Sequence, residues 1–120
     1  MLTKEEIENL EIDARIYLCY DLLIPISKDR VLATHGDNIS LIDINGNMIV
    51  TYDLIVIPEY IDQDYMLDEN TAAMTKVDNY LIVYENGKVG LINYDGDVLL
   101  PVEYSSILFK SPTQIETLPF

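Results

Sequence analysis

Apolar residues recur along the chain in two rhythms. Near the start, Ile7, Leu10 and Ala14 fall on one helical face, and Tyr17 extends it. Thr3-Lys4-Glu5-Glu6 stands before them with capping-box spacing, so the Thr3 hydroxyl can take the Glu6 amide while Glu6 reaches back to the Thr3 amide. This predicts a helix from Lys4 to Ala14. The run from Ile16 to Ile26 fits continued helix or strand equally, and Pro25 ends any helix that reaches it. From Arg30 onward the rhythm becomes that of strands separated by turn dipeptides. Asn86-Gly87 and Asp95-Gly96 suit two-residue type I′ turns, which need positive φ at both central positions. Around the first, Glu85 faces Lys88 and Tyr84 faces Val89. Around the second, Asn93 faces Val98, Ile92 faces Leu99 and Leu91 faces Leu100. The expected product is a three-stranded meander over Tyr80–Tyr84, Lys88–Tyr94 and Asp97–Leu100.

The same pattern occurs 50 residues earlier, where Arg30–Val50 aligns without a gap on Tyr80–Leu100. Leu41 meets Leu91, Ile42 meets Ile92 and Gly46 meets Gly96. Asn45-Gly46 repeats the second turn, and Gly36-Asp37 replaces the first with a Gly-first pair suited to a type II′ turn. The fold class expected is therefore mainly β: two degenerate repeats of antiparallel β-meander, with a short N-terminal helix. One domain is expected from 120 residues. It divides into a helix/strand segment (1–26), a first repeat (27–57), an acidic linker (58–76), a second repeat (77–107) and a C-terminal tail (108–120).

The stretch NGKVGLINYDGDVLLPVEYSSI resembles the bacterial WG repeat, whose pattern runs approximately GKWGLID-x-x-G-x-x-V-I-P-x-x-Y. Gly87, Lys88, Gly90, Leu91, Ile92, Gly96, Pro101 and Tyr104 carry the match. Val89 and Ile39 stand where the family has Trp. The first copy also has Ser40 for the Gly, Thr51 for the Pro and Leu54 for the Tyr. The resemblance implies a β-rich tandem module that serves as a scaffold or interaction domain without chemistry of its own. Independently of the family, Gly90 faces Val83 and Ser40 faces Ala33, so a small residue there leaves room for something bulky on that face.

The net charge is −14, and no Lys or Arg occurs between Arg30 and Lys76, a span holding Asp37, Asp43, Asp53, Glu59, Asp62, Asp64, Asp68 and Glu69. Nucleic acid and anionic membranes would be repelled and a basic protein surface attracted. A partner-binding surface is expected around Asp53, Glu59, Tyr60, Asp62, Asp64, Tyr65, Asp68 and Glu69. The leading expectation is a non-enzymatic protein-interaction module. The rival is a small acidic inhibitor that occupies a basic nucleic-acid groove, as phage anti-defence proteins do, or an antitoxin or immunity protein. Unpaired edge strands also offer a route to a homodimer.

Candidate chemistry is sparse. His35 is the only histidine and sits beside a turn. Cys19 is the only cysteine, so no internal disulfide forms, and its apolar surroundings mark it as a small core residue. DQDYMLDEN clusters acids, but as an EF-hand loop it lacks an oxygen ligand at Met66, a Gly at Leu67 and a Glu at Ala73. No catalytic, cofactor or metal residues are expected. The acidic first ten residues lack a signal peptide's apolar core, and no apolar run is long enough for a membrane helix, so a cytoplasmic protein is expected.

Overall fold

The computed structural model describes residues 2–12, 14–62 and 73–120. In chain order its elements are α1 (Lys4–Glu8), α2 (Ile16–Cys19), β1 (Leu22–Pro25), β2 (Arg30–His35), β3 (Asn38–Asp43), β4 (Met48–Tyr52), β5 (Leu54–Val56), β6 (Glu59–Asp62), β7 (Ala73–Lys76), β8 (Tyr80–Glu85), β9 (Lys88–Asn93), β10 (Val98–Ser111) and β11 (Gln114–Pro119). The protein is mainly β, with antiparallel sheets and two short helices. The sheets run β1-β2-β3-β4, β11-β10-β9-β8-β5 and β6-β7.

The capping box forms: Glu6 N–H donates to Thr3 Oγ1, and Thr3 N–H donates to Glu6 Oε1. The helix nevertheless stops at Glu8, well short of Ala14, with Asn9 as its C-cap. A good cap does not extend a helix that has nothing to pack on. None of its residues is buried, and Ile7 stays exposed. The ambiguous stretch splits: Ile16–Cys19 is a single helical turn, and Leu22–Pro25 is strand.

The two meanders share one register. In the first, β2 pairs with β3 from Arg30↔Asp43 to His35↔Asn38. In the second, β8 pairs with β9 from Tyr80↔Asn93 to Glu85↔Lys88. Asn86 and Gly87 both have positive φ, as a type I′ turn requires, and Gly36 alone does so in the earlier turn. The later turns differ from expectation. Gly96 N–H donates to Asn93 O, Asn93 N–H donates to Asp97 O, and Asp95 is absent from the positive-φ residues while Gly96 has φ +84°. This is a type I turn followed by a left-handed glycine, a three-residue loop with a bulge. It moves Val98 opposite Ile92 instead of Asn93, and the bulge at Leu99 restores Leu91↔Leu100. Asp43–Asn47 reproduces the loop, with Ile42↔Met48 and Leu41↔Val50.

Each meander buries both faces. Val31, Ala33 and Ile42 pack with Ile16 of α2. On the opposite side of the first sheet, Leu32 and Leu41 pack with Ile55, Leu81, Val83 and Ile92 of the second. The second sheet turns Ile82, Val89 and Leu91 toward Ile107 and Phe109 of β10. The layers therefore stack in one direction, each contacting its neighbours.

The segments expected as an acidic linker and a C-terminal tail contain strands. The ends of the acidic linker pair as β6 and β7, from Glu59↔Lys76 to Asp62↔Ala73. The C-terminal tail is the second half of β10 folded against β11, with Ile107↔Thr117 and Phe109↔Ile115. Alternation in ILFKS and QIETL was the available signal, at a length too short to decide by itself.

Candidate interaction surface

Asp53 lies between β4, the last strand of the first sheet, and β5, the edge strand of the second. Its Oδ2 accepts the Asn86 N–H at 2.9 Å, and its own N–H donates to Glu85 Oε2 at 3.4 Å. It therefore fixes the Asn86-Gly87 turn from the neighbouring strand. Asp21 does the same in the first sheet, its Oδ2 accepting the Gly36 N–H at 3.3 Å just before β1. The shared signal is Tyr20-Asp21-Leu22 and Tyr52-Asp53-Leu54, which are 32 residues apart (54 − 22). A 50-residue comparison hides it, because the segment holding β6 and β7 separates β5 from β8 and has no counterpart between β1 and β2.

The other expected contact residues are dispersed. Glu59 is exposed and paired across β6–β7 with Lys76. Tyr60 is half-buried and packs against the layer formed by Val77, Ile82 and Phe109. Asp62 ends β6 opposite Ala73. Asp64, Tyr65, Asp68 and Glu69 lie outside the described residues.

Arg30 and Lys110 are held in ion pairs within the molecule. Arg30 donates through Nε to Tyr94 O at 2.8 Å and through Nη2 to Asp95 Oδ1 at 3.0 Å, tying the first sheet to the loop of the second. Lys110 pairs with Glu116 at 3.1 Å, and Lys88, opposite Glu85 in register, holds its ammonium 5.2 Å over the Phe120 ring. Acids exceed bases by 21 to 7 over the chain.

Those turns hold carboxylates by hydrogen bonds. Asp43 Oδ1 accepts the Asn45 and Asn47 N–H groups, and Asn47 Nδ2 donates to Asp43 Oδ2. In the later loop the partners are exchanged: Asn93 Oδ1 accepts Asp95 and Asp97 N–H, and Asn93 Nδ2 donates to Asp97 Oδ2. Burial opposes the charged form of Asp43. The Asn47 amide, the two backbone donors and Arg30 outweigh it and lower its pKa from 3.8. A depressed folded-state pKa stabilises the protein above the unfolded value, and that contribution is lost as pH falls through the folded value. Asp43→Asn removes the charge and keeps the oxygen that accepts the two backbone amides, but sets an amide donor where Oδ2 accepts from Asn47 Nδ2. The wild-type advantage over this variant should shrink as pH drops from neutrality to below 3.8, measured by denaturant melts at each pH. A pH-independent difference would refute the assignment.

Of the two small residues expected to admit bulk, Gly90 does so. A Cβ on Gly90 would lie 2.7 Å from Val102 Cγ2 and 2.9 Å from Leu100 O. Ser40 instead hydrogen-bonds Thr51 Oγ1 at 2.8 Å. Cys19, expected in the core, is exposed. It lines an open cleft of about 340 Å³ with Arg15, Ile16, Tyr20, Asn45 and Gly46. The lone turn of α2 buries only Ile16, which leaves the cysteine outside. A second cleft of about 290 Å³ includes Glu6, Lys28, Asp78, Asn79 and Tyr94. Burial raises the Tyr94 pKa against a lowering hydrogen bond from the Asn79 backbone, and the Asp78 charge adds to the rise. His35 is exposed, its ring edge-on to Tyr20. Among the described residues, no three His, Cys, Asp or Glu side chains are grouped to hold a metal, and no helix is long and apolar enough to cross a membrane.

No known family, curated protein or solved structure matches the chain.

Proposed function

We propose that the chain is a non-enzymatic protein-interaction module, built in the manner of WG repeats, that recognises a partner with a basic surface. The observation that supports this reading is the stacking itself. Both faces of each meander are spent on neighbouring layers, so recognition falls to turns, strand edges and the β6–β7 segment, where acids prevail. Solenoids of stacked units use such rows as extended binding surfaces.

The test is recovery of a partner from nuclease-treated host lysate, washed in parallel at low and high salt. Reversing Asp62, Asp64 and Asp68 to Lys should lower recovery about tenfold or more, because opposed like charges disfavour a complex. Asp53 is left intact, since it holds a turn. Reversal of Glu5 and Glu8 on α1 serves as the control and should leave recovery unchanged. Binding unaffected by the first set places the surface elsewhere.

The long span without Lys or Arg favours a second reading, an acidic inhibitor or immunity protein seated in a basic groove. Such a complex is held by screened charge and should be lost in the high-salt wash. A partner whose recovery falls but persists in the high-salt wash, held by apolar contact as well as charge, supports the interaction module.

A further inference from the structure

The strands β2 and β8 each have neighbours on both sides, β1 and β3 for one, β5 and β9 for the other. β11 occupies the same place relative to β10. Leu23↔Ala33, Ile55↔Val83 and Ile107↔Thr117 are corresponding pairs in the three sets. Among the described residues, however, β11 pairs only with β10, and its other edge is open. All of its residues except the half-buried Thr117 are exposed, including Ile115 and Leu118. Phe120, next to Pro119, is 73% exposed. An open edge of this kind is a template for another strand.

We propose that this edge joins a second copy of the chain, β11 against β11, in an antiparallel pairing about a twofold axis through Thr117. The strand's own sequence selects that register. A twofold perpendicular to the sheet places one residue opposite itself. Centred on Glu116, it would oppose two carboxylates directly, which is destabilising. Centred on Thr117, it opposes two threonines, a favourable cross-strand pair, and sets Glu116 opposite Leu118 and Ile115 opposite Pro119 of the other copy. All five positions from Ile115 to Pro119 are then used. Centring on Ile115 or Leu118 engages fewer residues of the strand. Pro119 falls at the end of the register, where its missing N–H has least effect. The two five-stranded sheets become one continuous sheet, and neither keeps its β11 edge.

Net charge gives the association a signature. Each copy carries −14, so the copies repel at long range while the edge pairing holds at short range. Dimerisation should strengthen with salt, the reverse of binding to a basic partner.

Sedimentation velocity of the full chain over a concentration series, at low and high salt, measures this. The expected result is a shift from monomer to dimer with concentration, at lower concentration in high salt. Hydrogen exchange should show Ile115 and Thr117 amides gaining protection as dimer forms. Thr117→Lys, which sets two ammonium groups across the axis, should weaken the dimer at least about tenfold. Circular dichroism verifies its fold, and the wild-type series stands by itself if the variant does not fold. A monomer at every concentration in high salt overturns the proposal. So does a dimer whose β11 amides stay unprotected, or one that a folded Thr117→Lys leaves intact. Partner recovery is independent of either result, so the two proposals fail separately.

Discussion

Gly96→Ala should destabilise the protein by about 2–5 kcal/mol. Two costs combine. Gly96 has φ +84°, and an L-residue held in left-handed geometry costs about 1–2 kcal/mol. A methyl group there would also lie 2.8 Å from Ile49 Cγ2 and 2.9 Å from Val50 Cγ1, and overpacking of this kind costs about 1–3 kcal/mol. Ile49 and Val50 belong to the first sheet and Gly96 to the loop of the second, so the overlap pushes the sheets apart. The double variant Gly96→Ala/Ile49→Ala separates the two terms. Shortening Ile49 removes its overlap but not the backbone strain, so the double variant should be more stable than the sum of the single changes predicts. Strict additivity, measured by urea titration, would show that the loop does not press on β4. Gly46 has the same backbone, φ +91°, but its nearest neighbour is the Ile16 side chain at 3.2 Å. A smaller overpacking cost is expected there, because a flexible side chain on a one-turn helix can yield.

This asymmetry bears on what the sequence could convey. The meanders were legible because turn chemistry and apolar alternation agreed: Asn86-Gly87 is the expected I′ turn, and Glu85 does face Lys88. Asp95-Gly96 and Asn45-Gly46, expected to form the same turn, close three-residue loops instead. A dipeptide specifies where φ turns positive but not how many residues the loop contains. Here the deciding groups are Asn93 and Asp43, whose side chains collect two backbone amides each and draw the loop out to three residues. The helix was overextended for a related reason. Spacing describes a face, whereas a short helix persists only if another element covers that face.

The candidate surface was less legible than the fold. Charge singled out Asp53, but its role is to hold the Asn86-Gly87 turn, a contact 33 residues away in sequence. Its equivalence to Asp21 rests on a spacing different from the 50-residue one. Tyr60, an aromatic among acids, is half-buried and packs beside Val77 and Phe109. Composition cannot distinguish an aromatic that serves a partner from one that covers an internal layer. The open edge of β11 was foreseen only as a generality about unpaired strands, because its position depends on the tail being strand at all.

Leu41→Ala tests whether the stack is one cooperative body. Leu41 is fully buried, pairs with Leu32 and Val50, and packs in the layer shared with Ile55, Leu81, Val83 and Ile92 of the second sheet. Truncating a buried leucine costs about 2–5 kcal/mol through lost transfer energy and the cavity left behind. That is a large share of a stability of about 5–15 kcal/mol. Leu118→Ala, at a residue 53% exposed, should cost well under 1 kcal/mol. The distribution of the Leu41 effect is more informative than its size. The chain passes from β4 of one sheet to β5 of the other through the single residue Asp53, and Arg30 ties the first sheet to the Tyr94-Asp95 loop. Loss at Leu41 should therefore lower hydrogen-exchange protection equally at Leu32 in the first sheet and Ile92 in the second. If Leu32 loses protection while Ile92 keeps it, the layers unfold independently, and a surface spanning both sheets would have to be assembled by the partner.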